Sequence, residues 1–168
     1  MKYCSIDELE TFAFHDGKLH CAQWDEDDLT LQVGNINATT ENSQNAAPTD
    51  LCIGQAMIRF SKAELTAIRV FAEAERPAPN HIIMELSPPL PDQDSYWDFL
   101  QRAIGTTGAV ILSKEDLQIN HGKTAVTFLL EGASDVFQLT ISYDQAQISW
   151  DKFSGSAWYV SWPENAPK

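Results

Sequence analysis

Between Val136 and Tyr143 the chain alternates without a fault: Phe137, Leu139, Ile141 and Tyr143 fall on one side, Gln138, Thr140 and Ser142 on the other. Ala146, Ile148 and Trp150 repeat the pattern against Gln147, Ser149 and Asp151, and Trp158, Val160 and Trp162 do so after a turn at Gly155. A period of two over such lengths predicts antiparallel strands with one buried face. Leu117 to Trp162 is therefore expected to form one contiguous meander, with Trp150 and Trp158 buried.

The same reading runs through the rest of the chain. Lys18 to Trp24 and the alternating Leu29, Leu31 and Val33 flank a turn at Asp25-Glu26-Asp27-Asp28, which predicts a hairpin. Asn35 to Asp50 is rich in Asn, Thr, Ser and Ala, and residues 37–49 are expected to be mobile because they offer little to bury. Leu51 to Phe60 reads as a strand with a bulge at Gly54. Ser61 and Glu64 match a capping box ahead of Leu65, Ile68 and Ala72, which predicts a short helix, with Ile68 to Phe71 as an alternative strand. His81 to Leu86 reads as a strand. Asp94 is placed to cap a helix that presents Trp97, Leu100 and Ile104 on one face and ends at Gly105. Val110 to Leu112 and Leu117 to Asn120 read as short strands, His121-Gly122 as a turn, and Lys123 to Glu131 as a further strand. The expected class is α+β: about eight to ten strands, predominantly antiparallel sheet, with one or two short helices. One domain over residues 1–168 is expected, with a candidate subdomain break among the prolines of residues 76–80.

Charge narrows the partners. Twenty-four Asp and Glu against eleven Lys and Arg give a net charge of -13. Such a surface repels phosphate backbones and anionic headgroups, so neither nucleic acid nor a membrane surface is expected, whereas a basic protein is compatible. The three cysteines, Cys4, Cys21 and Cys52, form no CxxC pair and fit no zinc spacing. The N-terminus lacks the apolar region of a secretory signal, and a cytoplasmic location is expected.

No motif assigns chemistry. The sequence holds no G-x-S-x-G, G-x-x-x-x-G-K-[ST], H-E-x-x-H or G-x-G-x-x-G. His15-Asp16 and His20-Cys21 are sequence neighbours, which point to opposite faces if they lie in strands. The acids at 25–28 lack the glycine and distal glutamate of an EF-hand loop. No catalytic, cofactor-binding or metal-ligating residue is assigned, and no cofactor is expected. Asp25, Glu26, Asp27 and Asp28 at the hairpin tip, together with Tyr159 on the face opposite Trp158, are the candidate partner-binding residues. An alternative is a small-ligand-binding module, or an enzyme, with a pocket lined by aromatics such as Tyr96, Trp97 and Tyr159.

Two stretches carry a resemblance. Phe14-His15-Asp16 followed by a hairpin, and Ile148-Ser149-Trp150-Asp151 followed by Ala157-Trp158-Tyr159, resemble small bacterial proteins, some of them of the immunity or accessory type that accompanies toxin systems. The resemblance covers the two ends of the chain. It implies a bacterial, cytosolic, non-enzymatic protein and identifies no site residue.

Overall fold

A computed structural model describes residues 1–73, 84–118 and 123–161. Their elements are the strands β1 (Tyr3–Ile6), β2 (Phe12–Ala13), β3 (Gly17–Asp25), β4 (Asp28–Gly34), β5 (Ile36–Ala38), β6 (Leu51–Ile53), β7 (Ala56–Ser61), β8 (Glu64–Glu73) and β9 (Met84–Leu86), then helix α1 (Gln93–Ile104), then β10 (Ala109–Gln118), β11 (Thr124–Glu131), β12 (Val136–Tyr143), β13 (Gln145–Trp150) and β14 (Gly155–Ser156). Short 3-10 turns span Leu9–Thr11 and Trp158–Ser161. Every strand pairing is antiparallel, which makes this the β-dominated α+β fold that the alternation predicts. The predicted break at 76–80 and the His121-Gly122 turn lie outside the described residues, as do Trp162 and the first half of the His81–Leu86 strand.

Ten strands follow the order β1-β13-β7-β4-β3-β10-β11-β12-β8-β9. The pairing runs through a corner without losing register: Ser61 opposes Gln145 on one side of it and Glu64 opposes Ser142 on the other. At the corner the Asp144 N–H donates to the Ser61 carbonyl at 3.0 Å. β7–β8 and β12–β13 are thus two long strands paired along their length and bent together at residues 61–64 and 143–145. The outer neighbours of this bent ribbon, β4 and β11, are joined to each other through β3 and β10, so the hydrogen-bonded order closes into a ring. The expected meander from Leu117 to Trp162 holds only as far as Tyr143. β13 leaves β12 for β7 and β1 because the ribbon bends between them.

Side chains from all around the ring meet in one core. Leu29, Leu31, Val33, Ile58, Phe60, Ile68, Phe128, Phe137, Leu139, Ile141, Ile148 and Trp150 are all buried within it. Tyr96, Leu100, Ala103 and Ile104 of α1 join the same cluster, so the segments before and after residues 76–80 share their apolar contacts. Most outward positions are polar, among them Thr30, Gln32, Arg59, Thr127, Gln138, Thr140 and Gln147. A smaller sheet of order β14-β6-β5-β2 lies beside the ring.

Several expectations change. The segment from Ser61 to Ala72 is strand β8, not a helix. Its buried Leu65 and Ile68 are three residues apart because the β8–β12 register shifts by one residue at Thr66. A bulge inserts one residue into the alternation and so imitates helical spacing. Leu51 to Phe60 is two strands, β6 and β7, in different sheets rather than one strand bulged at Gly54. Residues 110–120 form one strand as far as Gln118, with a register shift between Ile111 and Ser113. The predicted helix is present, but its cap is Asp92, whose Oδ1 accepts from Ser95 N at 2.8 Å. Gly105 ends it at φ 51°.

The mobility expected of residues 37–49 rested on their having little to bury, and that premise does not hold. Ile36, Asn37 and Ala38 form the buried strand β5, and Asn42 and Asn45 are buried beyond it. The Asn42 side-chain amide donates to Thr11 Oγ1 at 2.8 Å, Ser5 Oγ at 3.1 Å and Glu8 Oε2 at 3.3 Å. The Asn45 amide reaches the carbonyls of Ala38, Thr39 and Thr49 at 3.0 to 3.1 Å. Trp150 is buried as expected. Trp158 is not: the chain turns into a 3-10 helix after Ala157 and leaves Trp158 44% exposed.

Candidate functional site

The acidic hairpin tip forms as expected, but its four acids do not behave alike. Asp25 and Asp28 are the closing pair of a two-residue turn, with Glu26 at φ 53°. Primed hairpin turns need a positive φ there, so Glu26 carries local strain that the turn imposes. Asp25, Glu26 and Asp27 are exposed. Asp28 is not a free surface charge. Its Oδ2 accepts from Arg59 Nε at 2.8 Å and pairs with the other guanidinium nitrogen, while its Oδ1 accepts from Lys62 N at 3.2 Å. The Arg59 hydrogen bond holds the Asp28 carboxyl below the usual carboxylate range. Of the four candidate acids at the tip, three are exposed and the fourth is paired. Lys62 Nζ also reaches Asp144 Oδ2 at 2.8 Å, and Ala63 N donates to the Asp27 carbonyl at 2.8 Å. The tip is thereby tied to the bent corner of the ring.

Immediately before the tip stands Trp24, 43% exposed. Its position follows from a second bulge, between Leu19 and Cys21, which moves the inward parity of β3 onto Ala22 and then Trp24. Trp24 is therefore on the core side of its strand, but at the strand's end, where the core gives out. There it meets Trp97 of α1, with ring centroids 6.1 Å apart and planes inclined at 43°. Helical geometry puts Asp94, Trp97 and Gln101 on one stripe beside the core stripe of Tyr96, Leu100 and Ile104. Gln101 Nε2 donates to the Ala22 carbonyl at 3.1 Å and fixes this stripe against β3. Trp24, Trp97, Leu65 of β8 and Asp94 line a cleft of about 190 Å³. Asp94 has no side-chain hydrogen bond or ion pair among the described residues, unlike Asp92 two positions earlier.

Helical spacing puts Trp97 on one face with Leu100 and Ile104, but Tyr96 takes that place in the buried face and Trp97 stays half-buried beside it. Nothing local marks Trp24, because the bulge between Leu19 and Cys21 that sets its side of the strand is a feature of the pairing with β4. The aromatics Tyr96, Trp97 and Tyr159 do not share a pocket: Tyr96 is in the core, and Tyr159 is in the 3-10 turn after β14. Tyr159 is half-buried, and its hydroxyl donates to Asp50 Oδ2 at 2.7 Å, which ties the 3-10 turn to the segment before β6. Burial and the adjacent Asp50 carboxylate push its hydroxyl pKa up.

His15 and Asp16 were expected on opposite faces, yet His15 Nε2 lies 3.6 Å from Asp16 Oδ2. Asp16 has φ 62° in the turn before β3, so the strand rule does not apply to it. The opposite ring nitrogen, Nδ1, lies 2.7 Å from the Leu112 carbonyl. A second cleft is lined by Asp7, Leu9, Glu10, Thr124, Asp144, Ala146 and the hydroxyl-bearing Tyr143. Burial, followed by the charges of Asp116, Asp7 and Glu10, pushes that hydroxyl up to about 12. Asp7 there is already engaged, accepting from Ala146 N at 3.0 Å and Gln145 Nε2 at 3.2 Å. Among the described residues no three His, Cys, Asp or Glu side chains are grouped to hold a metal ion, and no helix is long and apolar enough to cross a membrane. In comparisons with known proteins, no family model, curated protein or solved structure matches this chain.

Proposed function

We propose that this protein is a non-enzymatic interaction protein, an immunity-like or regulatory partner that docks a basic protein at the face formed by the hairpin tip and the Trp24–Trp97 cleft. One observation carries the reading: Trp24, 43% exposed and packed against the half-buried Trp97, directly adjoins the exposed carboxylates of Asp25, Glu26 and Asp27. Aromatic anchors supply most of the binding energy in protein interfaces, and like charges around them steer an oppositely charged partner. The cysteines Cys4, Cys21 and Cys52 are free thiols, which is compatible with the reducing cytoplasm as its place of action.

The test is capture from host lysate with the full chain, followed by association kinetics at low and high salt. The expected partner is basic, and its association slows steeply as salt rises. The Asp25→Asn, Glu26→Gln, Asp27→Asn variant is expected to lose on-rate while keeping its melting temperature, because exposed charges add little to stability. Asp28 is left intact in that variant, since its pairing with Arg59 is structural. An acidic partner, or a wild-type on-rate in the triple variant, refutes the reading.

A further inference from the structure

The docking reading leaves open what the cleft itself holds. Resting on that reading, we infer that the Trp24–Trp97–Asp94 cleft is a seat for one guanidinium group, an arginine side chain of the basic partner.

Size comes first. A cleft of about 190 Å³ is below the roughly 300–1,000 Å³ of sites that take drug-sized ligands, and it suits one side-chain head. Charge then selects the kind of head. The faces of the indoles are the negative regions of their quadrupoles, and a cation within about 6 Å of such a face is attracted. The Asp94 carboxylate lines the same cleft without a partner among the described residues. An apolar occupant would strip water from that carboxylate and return nothing, and an anion would meet both it and the -13 of the chain. Leu65 of β8, the fourth lining residue, offers methyl groups to the stem of a long side chain rather than a further polar contact.

Geometry separates guanidinium from ammonium. With centroids at 6.1 Å the two rings are too close for a flat group to slip between them, which would need about 7 Å, twice a carbon contact distance. The occupant therefore rests on an indole face while reaching a carboxylate at the edge. A guanidinium does both at once: it is planar, weakly hydrated and able to bridge a carboxylate through two N–H groups. An ammonium is compact and strongly hydrated, so it gives up more water for a single contact.

The experiment uses the full chain with ¹⁵N-labelled tryptophan. It is titrated with a glycine-flanked arginine peptide, the matching lysine peptide and the matching citrulline peptide, a neutral isostere of arginine. The arginine peptide is expected to shift the indole N–H signals of Trp24 and Trp97 saturably, identified by Trp24→Phe and Trp97→Phe. The lysine peptide should bind several-fold more weakly, and the citrulline peptide should cause no saturable shift. Asp94→Asn is expected to weaken the arginine peptide by roughly tenfold, the loss of one charge-assisted pair. Because Asp94 is exposed, this variant keeps its fold even if a tryptophan variant does not. Equal binding of citrulline and arginine, unchanged binding in Asp94→Asn, or shifts confined to other tryptophans overturns the inference. If the basic partner is captured and binds equally well to Asp94→Asn, the cleft assignment falls and docking at the tip stands. If the arginine peptide binds as expected but only an acidic partner is captured, the cleft assignment stands and the docking reading falls.

Discussion

Asn42 shows how little of a residue's role its type reveals. In sequence it is one of several Asn and Ser residues in a polar stretch. In the fold its amide nitrogen supplies protons to Ser5, Thr11 and Glu8, and its Oδ1 accepts from Gln44 N at 3.0 Å. Glu8 in turn accepts from Ser5 Oγ and from Ser43 Oγ at 2.8 Å. The Ser5 bond foremost holds the Glu8 carboxyl below the usual range, so Glu8 stays a charged acceptor in this cluster. Asn42→Ala removes the shared donor and leaves the buried Ser5 and Thr11 hydroxyls without it. The expected loss is about 1–3 kcal/mol of stability, measured by urea denaturation. A change within about 0.5 kcal/mol would show that water replaces the amide freely. Nothing local marks Asn42 as buried, because its partners come from a segment 31 to 37 residues earlier. Trp158 makes the same point in reverse: it looks like Trp150 in its alternation and ends exposed.

At the scale of elements, bulges decided where reading by period failed. In β8 an extra residue at Thr66 spaces Leu65 and Ile68 like a helix, and Ser61 and Glu64 flank a strand corner rather than a helix start. Lys62, at φ 45°, makes that corner. Helix α1 was legible because Leu100, Ile104 and the glycine stop agree, while its cap moved from Asp94 to Asp92 and Tyr96 rather than Trp97 completes its buried face. That shift matters for the site, since Asp94 is thereby left free of capping. Segment 37–49 provides the test at this scale. The N–H of Asn42 donates to Thr39 O at 3.1 Å, that of Asn45 to Asn42 O at 2.9 Å, and that of Ala47 to Asn45 Oδ1 at 3.0 Å. Native-state amide exchange is expected to show these three amides protected well above the exposed tip amides of Glu26 and Asp27. Exchange at the unprotected rate would restore the mobile loop.

For the whole molecule, an excess of thirteen negative charges on one compact ring favours expansion through self-repulsion. Raising sodium chloride from roughly 10 to 150 mM shortens the Debye length from about 30 to 8 Å and is expected to raise the melting temperature. A melting temperature that falls over this range would mean that pairs such as Asp28–Arg59 and Lys62–Asp144 outweigh the repulsion. The strand-rich class, the β3–β4 hairpin with its acidic tip, the apolar face of β12 and β13, and the position of α1 are all legible in the order of residues. All of these rest on contacts or periodicities within a few residues, where side-chain pattern and backbone geometry are directly coupled. Tertiary structure alone decided the corner that sends β13 away from β12, the pairing that closes the ring, the burial of Asn37, Asn42 and Asn45, and the release of Trp158. It also decided the meeting of Trp24 with Trp97, 73 positions later, across the β3–α1 contact. Each depends on which distant strand is the hydrogen-bond neighbour, and a period of two names the face that is buried without naming the partner that buries it.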